Sequence, residues 1–231
     1  RRALVRSCDL VIAHAPQALG ELAEIGCRPR RSALVPMGPA RPPGGPAPRP
    51  PVRAEGEPLR LLFFGKVEPY KGVEDLLDAL ALVPAGADVA LTVAGECRDP
   101  GLAARLRAGA ARAGRPVDLR LAAAPEDEVD ALFARHHAVV LPFRRVTTSS
   151  SAALALEQAR PLVVPDLPGL AVLPDGAVVR HAPGASALAS ALAALAAAPP
   201  DRLEEMGRAA LAAGGPGWDD VAALTLEAVR A

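Results

Sequence analysis

Two stretches of this chain hold residue types whose spacing could do chemistry. The first is Gly65-Lys66-Val67-Glu68-Pro69-Tyr70-Lys71-Gly72. Two lysines five residues apart in a loop can converge on a diphosphate. A helix opening at the end of that loop adds the positive end of its dipole. The competing account is a pair of solvated surface lysines. The second stretch is Pro142-Phe143-Arg144-Arg145-Val146-Thr147-Thr148-Ser149-Ser150-Ser151. Its consecutive hydroxyl residues, Thr147 to Ser151, precede an apolar helical run. There they offer hydroxyl and backbone N–H donors to an anion. Capping a helix needs only one such residue.

The remaining candidates point elsewhere. His136 and His137 stand at a helix-to-strand junction and read as surface residues. His14 and His181 follow short strands, and no histidine has a carboxylate or cysteine partner at metal-ligand spacing. No metal site is therefore expected. Glu126-Asp127-Glu128 fits the acidic first turn that a helix dipole favours. Cys8, Cys27 and Cys97 are odd in number and widely spaced, with no Cys-x-x-Cys pair. Reduced thiols in a cytoplasmic protein are the expectation.

The elements that must position the two loops can be read from periodicity. Residues 59–65, 88–95, 117–122, 137–142, 161–165 and 177–180 read as strands. Helical spacing fills 73–83, 101–114, 125–136 and 150–159. Strands alternating with helices imply a parallel sheet covered on both faces. Both loops follow strands, so both belong at the carboxyl edge of that sheet, where open α/β sheets bind ligands. Three further helices are expected at about 185–198, 200–213 and 218–230. The Ala- and Leu-rich first of these reads as core packing.

Upstream lies a different unit. Residues 1–39 contain two short apolar strands, Leu10-Val11-Ile12 and Ser32–Pro36, around a helix that starts at Pro16 and stops at Gly26. They read as the end of an α/β lobe whose beginning is absent. Arg1 opens what reads as the middle of a helix. Residues 40–58 are rich in Pro and Gly and form a stiff linker. The division is 1–39 end of a first lobe, 40–58 linker, 59–198 ligand-binding domain, and 199–231 carboxyl-terminal helices, the last crossing back to the first lobe. Its apolar positions Val221, Leu224, Leu226 and Val229 are expected to make that contact.

Composition narrows the partners. The 231 residues are 51% hydrophobic, with 26 Lys and Arg against 26 Asp and Glu. Neutrality gives no reason to expect nucleic acid. Aromatic residues make up 3% of the chain, so base-stacking platforms are scarce. No apolar run reaches the roughly 18–20 residues a membrane span requires, and no signal-peptide pattern is present.

On these motifs the chain resembles the group 1 (family 4-like) retaining GT-B glycosyltransferases. The likeness covers the carboxyl domain and the end of the amino-terminal one. The family shows Gly-Arg, four residues, then Lys-Gly; Gly65-Lys66 and Lys71-Gly72 keep that spacing, with lysine for arginine. Lysine keeps the charge but loses the planar fork that grips phosphate bidentately. Arg160-Pro161-Leu162-Val163-Val164, Asp166-Leu167-Pro168-Gly169-Leu170 and Trp218-Asp219 also fit the family pattern. Two family glutamates are replaced, by Val146 and Leu154. Arg145-Val146-Thr147-Thr148-Ser149 is similar to a subgroup that uses its hydroxyls instead. Glu157, one helical turn beyond Leu154, is the substitute candidate for a ribose contact.

The resemblance implies a GT-B α/β fold, with Rossmann-like parallel sheets facing across a cleft. It implies a retaining, metal-independent transfer from a nucleotide-diphosphate sugar, which is a substrate; no cofactor is implied. Gly65, Lys66 and Lys71 would bind the donor diphosphate, and Thr147, Thr148, Ser149, Ser150 and Ser151 the phosphate or sugar. The acceptor, be it a glycan, a lipid carrier or a small molecule, stays open, as do the donor base and sugar. An acceptor-side base would lie in the missing lobe, so no catalytic residue is assigned and the fragment alone is expected to be inactive. The implied location is cytoplasmic, compatible with peripheral contact at the inner face of the membrane. Two other readings stay open: a non-catalytic nucleotide-sugar-binding lobe, and a GT-B sugar-nucleotide epimerase.

Overall fold

The computed structural model describes residue 5, residues 7–41 and residues 47–231. The helix expected through Arg1 and the middle of the Pro-rich linker, 42–46, lie outside the described residues. The strands are β1 (Val11–Ala13), β2 (Ser32–Leu34), β3 (Leu59–Phe64), β4 (Val89–Ala94), β5 (Val117–Arg120), β6 (Ala138–Val140), β7 (Leu162–Pro165) and β8 (Val178–His181). The helices are α1 (Pro16–Glu24), α2 (Val73–Leu82), α3 (Pro100–Arg112), α4 (Val129–Ala134), α5 (Ser150–Glu157), α6 (Ala185–Ala197), α7 (Pro200–Ala212) and α8 (Trp218–Arg230).

Strands β3 to β8 form one six-stranded parallel sheet in the order β5-β4-β3-β6-β7-β8. Counted from β3 this is 3-2-1-4-5-6, the Rossmann order. The chain winds outward to one side through β4 and β5, then crosses back to start the other side at β6. Strand β3 therefore pairs with β6 directly, Leu61 beside Ala138 and Leu62 beside Val139. At that boundary the two following loops diverge and leave a crevice at the carboxyl edge.

The strands are apolar because both faces are covered. All of β6 and β7 is buried. Helix α2 packs against α3 and α6, and α5 packs against α7. From β3, Phe64 meets Phe133 of α4 edge-on at 5.1 Å. Helix α6 buries Leu188, Ala189, Leu192, Leu195 and Ala196 in the core.

The upstream pair β1–β2 is also parallel, with Ile12 beside Ala33. Two strands have too few neighbours to bury both faces. Val11 and Ile12 are half-buried and Leu34 is half exposed. Helix α8 lies near this pair: the Trp218 indole rests against Gly38, and the Arg31 guanidinium donates to the Ala228 carbonyl at 2.6 Å. The contacting face differs from the one the apolar pattern predicts. Leu224, Leu226 and Val229 point to solvent, whereas Val221, Thr225 and Ala228 are half-buried. Helical spacing alone could not separate these two stripes.

His136 and His137 are buried, not superficial. Each ring has a dedicated partner. His136 Nδ1 donates to the Leu132 carbonyl at 2.7 Å, so its Nε2 accepts from the Thr92 hydroxyl at 2.8 Å. His137 Nδ1 accepts from the Arg60 amide at 3.0 Å. Burial, with Arg60, Arg53 and Arg160 nearby, pushes the His137 ring down to about 4. Glu57 lies 3.5 Å from Nε2, but its carboxylate is already paired with Arg60, so burial wins.

This gives a pH dependence with a definite sign. The unfolded chain protonates His137 near pH 6.5, whereas the folded chain resists until about pH 4. Stability is intact above pH 6.5 and falls as the pH drops toward 4. Across that window the loss amounts to about 3 kcal/mol, since each pH unit between the two protonation midpoints is worth about 1.4 kcal/mol. Urea unfolding of His137→Gln should show a flatter profile across that window than wild type. Parallel profiles for the two proteins would remove His137 as the cause.

Candidate functional site

The loop after β3 runs through a single turn at Pro69–Lys71 and ends at Gly72, which adopts φ 72°, ψ 21°. There it meets the loop after β6: a Cβ on Gly72 would stand 2.0 Å from the Pro142 carbonyl oxygen. The contact is extended by Arg144, whose amide donates to the Tyr70 carbonyl at 2.9 Å. The Arg144 side chain turns away and donates to both carboxylate oxygens of Asp75 on α2, at 2.7 and 2.8 Å. That bidentate pair fixes the β6 loop against the β3 loop. The turn after β7 comes just as close, since a Cβ on Gly169 would lie 2.1 Å from the Val146 carbonyl oxygen.

Three loops and one helix thus enclose a cleft of about 770 Å³, the helix being α1 from the upstream unit. Tyr70, Lys71, Arg145, Thr147 and Thr148 form one wall, and Gln17, Gly20, Glu21 and Glu24 of α1 form the other. Among the described residues two side-chain hydrogen bonds join the walls. Thr147 Oγ1 donates to Glu21 at 2.9 Å, and Gln17 Nε2 donates to the Pro168 carbonyl at 2.8 Å.

Lys71 is the distinctive charge. Its ammonium is 4.6 Å from the Phe143 ring centroid and 5.4 Å from that of Tyr70. Among the described residues no carboxylate pairs with it within 4.0 Å. Burial pushes the ammonium below the usual lysine range, with Glu68 opposing in part. A half-buried cation without a counter-charge is costly unless an anion joins it. Arg145 adds a second cation, exposed to solvent, with its guanidinium 5.9 Å from the Tyr70 ring centroid.

The residues singled out from sequence divide. Lys71, Thr147 and Thr148 come together on the cleft wall. Lys66 is exposed and outside the cleft lining. Ser149 caps α5, its hydroxyl accepting from the Ala152 amide at 3.1 Å, and Ser150 opens that helix. The buried Ser151 places its hydroxyl over Gly65. Gly65 is not among the residues that line the cleft. Glu157 faces the linker: its two oxygens accept from the amides of Ala40 and Arg41 at 2.9 and 2.8 Å. Arg145 and the α1 face were missed. Arg145 lies within the 142–151 stretch, but α1 belongs to a different unit and no spacing rule links it to the cleft.

The comparisons agree with this geometry. A sequence model described as "Glycosyl transferases group 1" matches residues 58–198, which is most of the chain. The chain belongs to the group 1 glycosyl transferases. A GDP-mannose:glycolipid 4-beta-D-mannosyltransferase of Xanthomonas campestris pv. campestris is 33% identical over 108 residues, 47% of this chain and 30% of that protein. A sucrose-phosphate synthase from Thermosynechococcus elongatus superposes with a TM-score of 0.78 at 20% identity, over 99% of this chain and 59% of its own. The Anabaena HepE protein, solved with UDP-glucose, gives 0.78 at 16% identity, over 99% of this chain and 65% of its own. This chain therefore spans less than two-thirds of each relative. The solved structures share the GT-B fold, and the six-stranded sheet is its parallel α/β lobe. No helix among the described residues is long and apolar enough to cross a membrane.

The loop contact at Gly72 predicts a large, local effect. An alanine there must adopt a left-handed backbone and displace the Pro142 carbonyl. Gly72→Ala should lower unfolding stability by about 2–4 kcal/mol, combining the left-handed penalty with overpacking. Chemical denaturation reads this as a reduced midpoint. An unchanged midpoint would mean that the two loops do not touch.

Proposed function

We propose that this chain carries the donor site of a glycosyltransferase that moves a sugar from a nucleotide-diphosphate carrier to an acceptor. Lys71 carries the reading. It is an unpaired, half-buried ammonium at the point where the sheet reverses direction, inside a cleft that the family's fold devotes to a ligand. Lys71 and Arg145 would neutralise the diphosphate as the bond from the sugar to its leaving oxygen breaks. Such fixed charges act strongly in a cleft with little water. Thr147 and Thr148 would add hydroxyl donors to the phosphate or sugar. The donor is a substrate, and no cofactor enters the scheme.

Resemblance to the family supports retention of anomeric configuration and independence from a metal. Lys71 and Arg145 would supply the positive charge that a metal otherwise brings to a diphosphate. The acceptor's hydroxyl proton would pass to a base outside the residues assigned here. The relatives' names offer two donors, GDP-mannose and UDP-glucose. The Xanthomonas protein's name gives a glycolipid acceptor. A cytoplasmic enzyme working at the inner membrane face is in keeping with that. A second reading, donor binding without transfer, draws on the apolar Val146 and Leu154 at the family's glutamate positions. Turnover of a bound donor by the full-length protein separates the two.

Charge-assisted contacts to phosphate contribute about 1.5–3 kcal/mol each. Lys71→Ala should weaken nucleoside-diphosphate binding about tenfold or more, measured by titration calorimetry, with no loss of folding. Lys66→Ala should lose less, because its ammonium stays in solvent. Equal affinity of wild type and Lys71→Ala for both UDP and GDP would sink the assignment.

A further inference from the structure

The second wall of the cleft carries charge of the opposite sign. Gln17, Glu21 and Glu24 stand at helical spacing on one face of α1, and all three line the cleft. Gly20 sits among them and leaves the middle of that face open, with no atom within 4 Å of where its Cβ would be. Among the described residues, neither Glu21 nor Glu24 has a cationic partner within 4.0 Å. The Gln17 side-chain oxygen is buried and accepts no hydrogen bond. One oxygen of Glu21 accepts from Thr147.

Two carboxylates and two cations thus face each other across about 770 Å³ without pairing. Were this a structural interface, those charges would be expected to meet. Kept apart, they match a ligand that is anionic at one end and rich in hydroxyl donors at the other. Carboxylates are strong, charge-assisted acceptors for hydroxyl groups. They repel a second anion. Val146, on the opposite wall, has no polar side-chain atom to offer the same hydroxyls.

We infer that Gln17, Glu21 and Glu24 of α1 form the sugar-recognition wall of the cleft, binding the hydroxyls of a neutral donor sugar and selecting against an acidic one. The inference rests on the donor-site reading of Lys71 and adds the specificity of the group beyond the diphosphate.

The test compares affinities for UDP, UDP-glucose, GDP and GDP-mannose in wild type and in a Glu21→Ala/Glu24→Ala double variant. Both positions are exposed on a helix and alanine is a good helix former, so folding should persist; thermal melting checks it. In wild type the sugar should raise affinity over the bare diphosphate in at least one pair. In the double variant that increment should fall about tenfold while affinity for the bare diphosphate holds. Glu24→Lys should also improve binding of UDP-glucuronic acid relative to UDP-glucose. A sugar increment that is absent in wild type, or untouched by the double variant, overturns the inference and leaves the diphosphate reading standing. Equal losses for sugar nucleotide and bare diphosphate overturn it too, since α1 would then serve only to shape the cleft. Wild type that binds none of the four removes the donor reading, and this inference with it.

Discussion

Backbone touches backbone where Gly72 meets the Pro142 carbonyl, and the site depends on that approach. Without it, Lys71 and Thr147 would belong to separate loops on neighbouring strands. With it, the loop after β3 presents its lysine toward the hydroxyls of the loop after β6. The Arg144–Asp75 pair holds the arrangement from outside, so the arginine beside it, Arg145, is left to face the cleft. Gly169 brings the third loop in by the same means. Side chains then decorate a shape that the main chain already sets.

Much of this is legible in the sequence, because it is local or periodic. The strands of the large sheet are apolar runs bounded by loops, and the helices between them show spacing of three and four. A parallel sheet follows, and so does the edge at which both loops lie. What escapes is what long-range packing decides. Lys66 and Lys71 look equivalent as residue types, yet only the turn at Pro69–Lys71 aims one of them inward. His136 and His137 read as superficial because their partners, Thr92 and Arg60, lie on strands more than forty residues earlier. The α1 wall could not be found from spacing at all, since nothing local ties residue 21 to residue 147.

The apolar residues at the family's glutamate positions have a structural counterpart. Leu154 is 9% exposed and belongs to the hydrophobic core. A carboxylate there would be buried without a partner, at a cost of several kcal/mol. Glu157, one turn on, has taken a different employment. With Arg41, Asp130 and Gln158 it makes a small polar cluster that grips the start of the linker. Farther along, Pro50 and Pro51 rest on α7 at Gly207, and Arg53 donates to the Ala196 carbonyl at 2.7 Å. At both of its described ends the linker is bound to the lobe that it precedes.

This anchorage sets a fulcrum. Residues 11–34 reach the large sheet's lobe from a chain clamped at Ala40 and Arg41, and the clamp combines two amide-to-carboxylate bonds with an Arg41–Asp130 ion pair at 2.8 Å. At the far end of the same lever, the hydrogen bonds that join the two cleft walls among the described residues are Glu21–Thr147 and Gln17–Pro168. Solvent-accessible contacts of that kind are easily broken. A strong pivot with a weak latch favours rotation over separation. The mouth of the cleft would therefore widen most at α1 and least at Lys71.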